Sequence, residues 1–205
     1  MADDHFDAAA TTWDQEPGKA AQARHLAEAI TTGLTLTGHE RLLEYGAGTG
    51  LVSQALAPHV GPVTLADTSE GMRRVAGEKV ASGLLPAGTR VWDLDLESSS
   101  APDERFDLVV ASLVLHHVHD VPAVLSGFRS LVEPGGHVAI ADLDTEDGSF
   151  HAHLHDFDGH PGFDRRQLAR WLEEAGFDDV SVADFTTIEK DRTPFPVFLA
   201  TARRT

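Results

Sequence analysis

Leu42-Leu43-Glu44-Tyr45-Gly46-Ala47-Gly48-Thr49-Gly50-Leu51-Val52 decides the fold. A short apolar run enters a turn with three glycines two residues apart, and a helical pattern leaves it. Glycine lets the chain bend tightly and puts no Cβ between backbone and ligand. Amide groups at the start of a helix favour an anionic group such as a carboxylate. The next apolar run, Val63 to Ala66, is closed by Asp67, 21 residues after Gly46. A carboxylate there can accept both hydroxyls of a ribose, so the pair predicts a nucleoside cofactor across the carboxyl edge of a sheet. The competing reading is a nicotinamide dinucleotide. That fingerprint needs its third glycine five residues after the first, where this chain has Leu51. Glu44 would also repel a pyrophosphate.

Outward from this turn, strands and helices alternate. Strands are predicted at Arg41 to Tyr45, Val63 to Ala66, Thr89 to Leu94, Phe106 to Ala111 and His137 to Leu143, the last entered through a Pro134-Gly135-Gly136 turn. Helical stripes fall on Ala23, Leu26, Ala27, Ile30 and Leu34; on Leu51 to Leu56, stopped by Pro58; on Met72, Val75, Ala76 and Val80; and on Val121 to Val132. A last stripe, Leu168 to Ala175, opens with a capping pattern of Asp164 and Gln167 and stops at Gly176. Such alternation predicts an α/β fold, its parallel sheet covered by helices on both faces. Val180 to Ala183 and Pro196 to Ala202 have only a loop between them. They predict an antiparallel hairpin finishing one edge.

The 205 residues fit one domain with room for a lid. Sixteen basic against 33 acidic residues leave a net charge of −17. That surface disfavours nucleic acid and anionic membranes and favours cationic ligands. With no cysteine, disulfides, thiolate metal sites and cysteine nucleophiles are excluded. No run is long and apolar enough to span a membrane. The Met-Ala-Asp-Asp-His start is unlike a signal peptide, so the expected location is cytoplasmic. Oligomeric state is not readable.

With these motifs in order, the sequence resembles class I S-adenosylmethionine-dependent methyltransferases over roughly residues 20 to 205. Glu44-x-Gly46-x-Gly48-x-Gly50 is similar to the family's first motif, and Asp67 to its acidic residue after the second strand. Asp95-Leu96, Phe106 to Val110, Leu115-His116-His117, Leu131-x-x-Pro134-Gly135-Gly136 and Ala175-Gly176-Phe177 match further positions. The nearest branch is the small-molecule one that includes ubiquinone and menaquinone methyltransferases. The stretch Ala141 to His151 resembles a signature of bacterial members. The resemblance implies a Rossmann-like, seven-stranded, mostly parallel sheet with a C-terminal antiparallel hairpin. It also implies methyl transfer from S-adenosylmethionine to a small-molecule acceptor. An NAD-dependent oxidoreductase and a non-catalytic nucleoside-binding module are the alternatives. Enzymes acting on amide or base nitrogens carry an Asn or Asp-Pro-Pro-aromatic motif where this chain has Ala111-Ser112-Leu113-Val114, so nucleic-acid bases and protein glutamine are disfavoured.

The expected cofactor residues are Glu44, Gly46, Ala47, Gly48, Gly50, Asp67, Thr68, Met72, Asp95, Leu96, Ala111 and Trp13. Asp95 and the Leu96 amide are implied to read the adenine. Asp93, placed on the same side by strand alternation, ranks second. Phe6, Trp13 and Asp14 lie in a polar stretch ahead of the first helical stripe, so residues 1–19 are expected to form a lid. Residues 144–163 fit neither helix nor strand and are expected to be an active-site loop. His116, His117 and His119 follow the fourth strand; His151, His153, His155 and His160 lie in that loop. The expected catalytic residues are His117, His116 and His151, as a general base for an acceptor that carries a proton. No metal ligand is assigned. A metal site with Asp142, Asp144 or Asp156 adding oxygens is the second reading of these histidines.

Overall fold

The computed structural model describes residues 2–152 and 157–205. His153, His155 and Asp156 therefore lie outside the described residues. Seven strands follow the order β3-β2-β1-β4-β5-β7-β6 in one mostly parallel sheet. They are β1 (Leu42–Tyr45), β2 (Val63–Ala66), β3 (Arg90–Trp92), β4 (Phe106–Ser112), β5 (Val132–Leu143), β6 (Asp178–Lys190) and β7 (Thr193–Arg203). The fold divides into two compact units, residues 1–95 with 106–110 and residues 96–105 with 111–205.

In the first unit, β2 pairs in parallel with β1 and β3. All four residues of β1 and all four of β2 are buried. Burial runs unbroken instead of alternating because both faces of these strands are covered, so Glu44 and Thr64 are buried with their apolar neighbours. The helices are α1 (Ala2–Ala9), α2 (Lys19–Gly33), α3 (Leu51–Leu56) and α4 (Glu70–Ala81). The buried α2 residues are Ala23, Leu26, Ala27 and Ile30, which is the stripe read from the sequence. Leu34 falls just past that helix as its cap. Ser69 caps α4, its hydroxyl accepting the Met72 amide at 3.1 Å. Two expectations fail here. Residues 2–9 are helical although their stretch carries no clear apolar stripe. Strand β3 ends at Trp92, so strand alternation does not reach Asp93 or Asp95.

The second unit contains α5 (Val121–Leu131) and α6 (Arg165–Glu174) with β5, β6 and β7. Pro122 stands in the first turn of α5, and Asp120 accepts the Ala123 amide. Asp164 caps α6 through the Gln167 amide at 2.8 Å, as the capping pattern predicts. Strand β7 pairs antiparallel with both β5 and β6, which gives the expected hairpin. Its turn is Asp191-Arg192, both at positive φ, a conformation two-residue hairpin loops require. Pro134-Gly135-Gly136 is not a turn ahead of the strand. It lies inside β5, where the Gly135 amide bonds the Arg204 carbonyl at 2.6 Å.

Gly50 links the turn to the core. Its φ is +80°, and a Cβ there would stand 2.8 Å from Leu65 Cδ1 and 3.3 Å from Leu85 Cδ1. Gly50→Ala should therefore destabilise by roughly 1–3 kcal/mol. In urea denaturation, the midpoint should fall without a change in slope.

Candidate active site

The first unit gathers the predicted cofactor residues around the turn after β1. Gly46, Gly48 and Gly50 all have left-handed φ, of 64°, 54° and 80°, so each position calls for glycine. They differ in surroundings. Gly50 is packed against leucines, whereas a Cβ at Gly48 would meet only Trp13 Nε1 at 3.7 Å and Met72 Sδ at 3.8 Å. A Cβ would thus be tolerated sterically at Gly48 but not at Gly50. The Ala47 amide bonds the Ala66 carbonyl at 3.0 Å, which ties the turn to the end of β2.

Asp67 is the centre of this arrangement. One carboxylate oxygen accepts the Gly48 amide at 2.7 Å, and the other accepts the Ser69 amide at 2.9 Å. A carboxylate offers about four lone-pair sites, so holding two amides is compatible with accepting hydroxyls as well. Glu44 is buried and accepts the Ser53 amide at 2.8 Å, in the first turn of α3. Burial pushes its carboxyl up to about 7, against the opposing Ser53 bond. Met72 is fully buried, whereas Thr68 is exposed and its carbonyl accepts Arg73 at 2.6 Å. Asp95 is half-buried in the loop after β3. Exposed Asp93 pairs with Arg73 at 3.2 Å; its second-ranked place rested on an alternation that the short strand removes.

The N-terminal segment is fastened over the glycine turn. Asp7 accepts the Ser69 hydroxyl and, at 2.7 Å, the Gly71 amide. Asp14 pairs with Lys79 at 2.6 Å and accepts the Thr49 hydroxyl. Lys79 also donates to the Thr49 carbonyl at 3.0 Å. Trp13 stands beside Gly48, with the Lys19 ammonium 3.1 Å from its ring centre. Sequence reading missed Lys79. The signal was its place seven residues after Met72, on the stripe that α4 buries.

In the second unit, Leu96 is buried and packs where a Cβ on Gly127 would approach to 3.0 Å. Ala111 is buried near the end of β4. Beyond that strand, His116 and His117 occupy a short 3-10 turn, and His151 ends another. Ring centres are 4.2 Å apart for His116 and His117, 5.0 Å for His116 and His151, and 5.2 Å for His117 and His151. Topology brings together three residues up to 35 positions apart. Residues 157–163 are pinned beside them: the Phe163 amide bonds the Leu143 carbonyl and the His160 amide bonds the His116 carbonyl. His119 lies apart, exposed and paired with Asp158 at 3.2 Å.

Two carboxylates considered as metal ligands have other partners. Asp142, fully buried, sits 2.6 Å from His116 Nδ1 and accepts the Leu115 and Leu143 amides. Asp144 forms a two-pronged ion pair with Arg165, both contacts 2.6 Å. Asp142 therefore orients a histidine, and Asp144 anchors the first turn of α6.

Comparison with known proteins agrees with this architecture. A methyltransferase-domain family profile matches residues 13–182, and the chain belongs to that family. The biotin biosynthesis bifunctional protein BioCD of Bordetella avium is 38% identical over 146 residues, 69% of this chain and 30% of that protein. The ubiquinone biosynthesis O-methyltransferase of Coxiella burnetii is 30% identical over 122 residues, 60% of this chain and 50% of that protein. The chain thus spans half or less of these two curated relatives. Among solved structures, Haemonchus contortus phosphoethanolamine N-methyltransferase 2 in complex with S-adenosyl-L-methionine superposes with a TM-score of 0.71 at 19% identity. The match covers 88% of this chain and 52% of that one, and it shares the fold.

Two outcomes follow from the first unit. Glu44 has a raised pKa, so its ionisation opposes folding. Its contribution is fully present below about 4.5 and is lost as pH rises through about 7. Glu44→Gln does not titrate. Measured by urea denaturation, the variant should gain on the wild type by on the order of 3 kcal/mol between pH 4.5 and 8. Asp14→Ala leaves buried Lys79 without its carboxylate and should cost on the order of 1–3 kcal/mol, read as a lower melting temperature.

Proposed function

We propose that this chain transfers a methyl group from S-adenosylmethionine to a small-molecule acceptor. The observation that carries the reading is the Asp67 carboxylate clamped to the Gly48 amide, at a glycine whose absent Cβ would meet only the side chains of Trp13 and Met72 at ordinary contact distance. In this proposal Asp67 holds the ribose hydroxyls, and Gly46, Ala47, Gly48 and Gly50 form the floor under the methionine part. Glu44, beneath the turn, attracts the cofactor's ammonium. Asp95 reads the adenine, with Thr68 and Met72 on the same unit completing its surroundings. Trp13 and residues 1–19 act as a lid, held by Asp7 and Asp14.

The methyl donor is a sulfonium and already activated, so the protein's work is alignment and exclusion of water. A base matters only for an acceptor that carries a proton. His116, His117 and His151 are the proposed catalytic residues, acting on the acceptor's ionisable group. The net charge of −17 supports a small acceptor over nucleic acid. Among the described residues no helix is long and apolar enough to cross a membrane, which is compatible with the proposed cytoplasmic location.

Calorimetry with S-adenosylhomocysteine tests the cofactor assignment. Asp67→Ala removes the proposed ribose bonds, worth roughly 1.5–3 kcal/mol each at a charged acceptor. Gly48→Val puts a branched side chain over the turn. Binding should be lost or strongly weakened in both; unchanged affinity in the folded variants would sink the reading. His117→Ala should lower turnover by roughly 10²–10⁴-fold while S-adenosylhomocysteine affinity stays nearly intact.

A further inference from the structure

We infer that His116, His117 and His151 form a three-histidine site for a divalent transition-metal ion of the zinc class. The inference deepens the proposed function, resting on it only for the role of the ion's open position.

Three observations converge. The first is proximity: one ligand nitrogen from each of the three residues lies within 4.8 Å of the others. Zinc–imidazole bonds of about 2.0–2.1 Å at tetrahedral angles place the nitrogens about 3.4 Å apart. The ring nitrogens would have to draw together by up to about 1.4 Å on binding an ion.

The second observation is independent of proximity. The Asp142 carboxylate can only accept, so the His116 nitrogen 2.6 Å away, Nδ1, carries the proton. That leaves the Nε2 lone pair of His116 as the donor for an ion. Asp142 is itself fixed by the Leu115 amide at 2.9 Å and the Leu143 amide at 2.8 Å. Carboxylate, imidazole and ion in series is the arrangement that orients metal-binding histidines and raises their basicity. Both members of this pair are almost wholly buried, with side-chain exposures of 2% and 1%. Asp142 is therefore built to aim one ring.

The third observation is the wall. Phe157 stacks on His151 at 3.8 Å between ring centres with planes 10° apart, and its edge meets His117 at 5.5 Å. Phe150 meets His151 edge-on at 4.8 Å. An apolar shell of this kind limits solvent access to a metal and sharpens its electrostatics.

Three neutral nitrogen ligands suit zinc-class ions over magnesium or calcium, which take oxygen. Three protein ligands also leave a coordination position open. An ion that keeps its full double charge lowers the pKa of whatever hydroxyl or thiol occupies that position. The acceptor's proton then passes to solvent, and the ion's oxidation state does not change.

The test is metal content and spectroscopy of the full chain. Purified protein is stripped with chelator, loaded with Zn²⁺ or Co²⁺, desalted and analysed. One ion per chain should remain, and the cobalt form should show the visible absorption of low-coordinate Co²⁺. His117→Gln and His151→Gln should lose both signals while keeping S-adenosylhomocysteine binding, which also reports that they fold. Asp142→Asn should keep the ion but bind it about 10–100-fold more weakly. No retained ion in the wild type, or equal retention in the two histidine variants, overturns the site. If stripped protein shows full methyl transfer that His117→Gln still lacks, the ion is overturned and the general-base reading stands. If the ion binds as described but S-adenosylhomocysteine does not, the metal site stands and the cofactor assignment fails.

Discussion

The bond from the Gly48 amide to the Asp67 carboxylate is the constraint on which the first unit's site depends. It joins the ends of β1 and β2 at 2.7 Å, and the same carboxylate holds Ser69, the cap of α4. One residue thus sets the turn after the first strand and the entry to the helix after the second. Glycine at positive φ is what lets the Gly48 amide reach that carboxylate. The cost is placed beside it. Glu44 is buried beneath the turn, where ionisation is opposed by burial and aided by the Ser53 amide. Two acidic groups in one neighbourhood create a field that suits a cation such as a sulfonium or ammonium.

The fastening of the N-terminal segment follows from the same chemistry. Lys79 occupies an interior position on α4, where a charge is costly to bury without a partner. Asp14 supplies the partner, and Thr49 bonds to both, so the strap is tied to the glycine turn itself. Anything that moves Asp14 therefore exposes an uncompensated buried ammonium. Asp7 and Asp14 supply polar contacts to the strap, and among its described residues Ala10 is the buried one.

The alternation of strands and helices, the C-terminal hairpin and five of the helices were legible because they rest on local signals. Apolar runs of four residues, Pro122 at a helix start and Asp164 with Gln167 each act within a few positions. What was not legible depends on partners distant in sequence. Strand β5 extends back through Pro134-Gly135-Gly136 because the Arg204 backbone arrives to pair with it. Nothing within ten residues of Gly135 announces that. Strand β3 is shorter than its sequence pattern suggested, so alternation says nothing about Asp93. The histidine cluster was legible only in part. Seven histidines stood near the expected mouth, but which of them meet depends on how the Phe157 to Phe163 stretch is pinned to His116 and Leu143.

Asp142 and Asp144 show why side-chain identity alone does not assign a role. They stand two residues apart at the end of β5, and either could have been a metal ligand on chemical grounds. Burial separates them. Asp142 lies in a dry setting with two backbone amides and one imidazole as partners, so its charge is spent on orienting His116. Asp144 is partly exposed and meets Arg165, which also pairs with Asp184 at 2.7 Å. A guanidinium so placed locks α6 to the strand end, and the fixed α6 entry in turn holds Phe163 against β5. One carboxylate shapes the histidine site by aiming a ring, the other by anchoring the segment that carries His151. Both act on the histidines at one remove, one through a ring and the other through the backbone that follows β5.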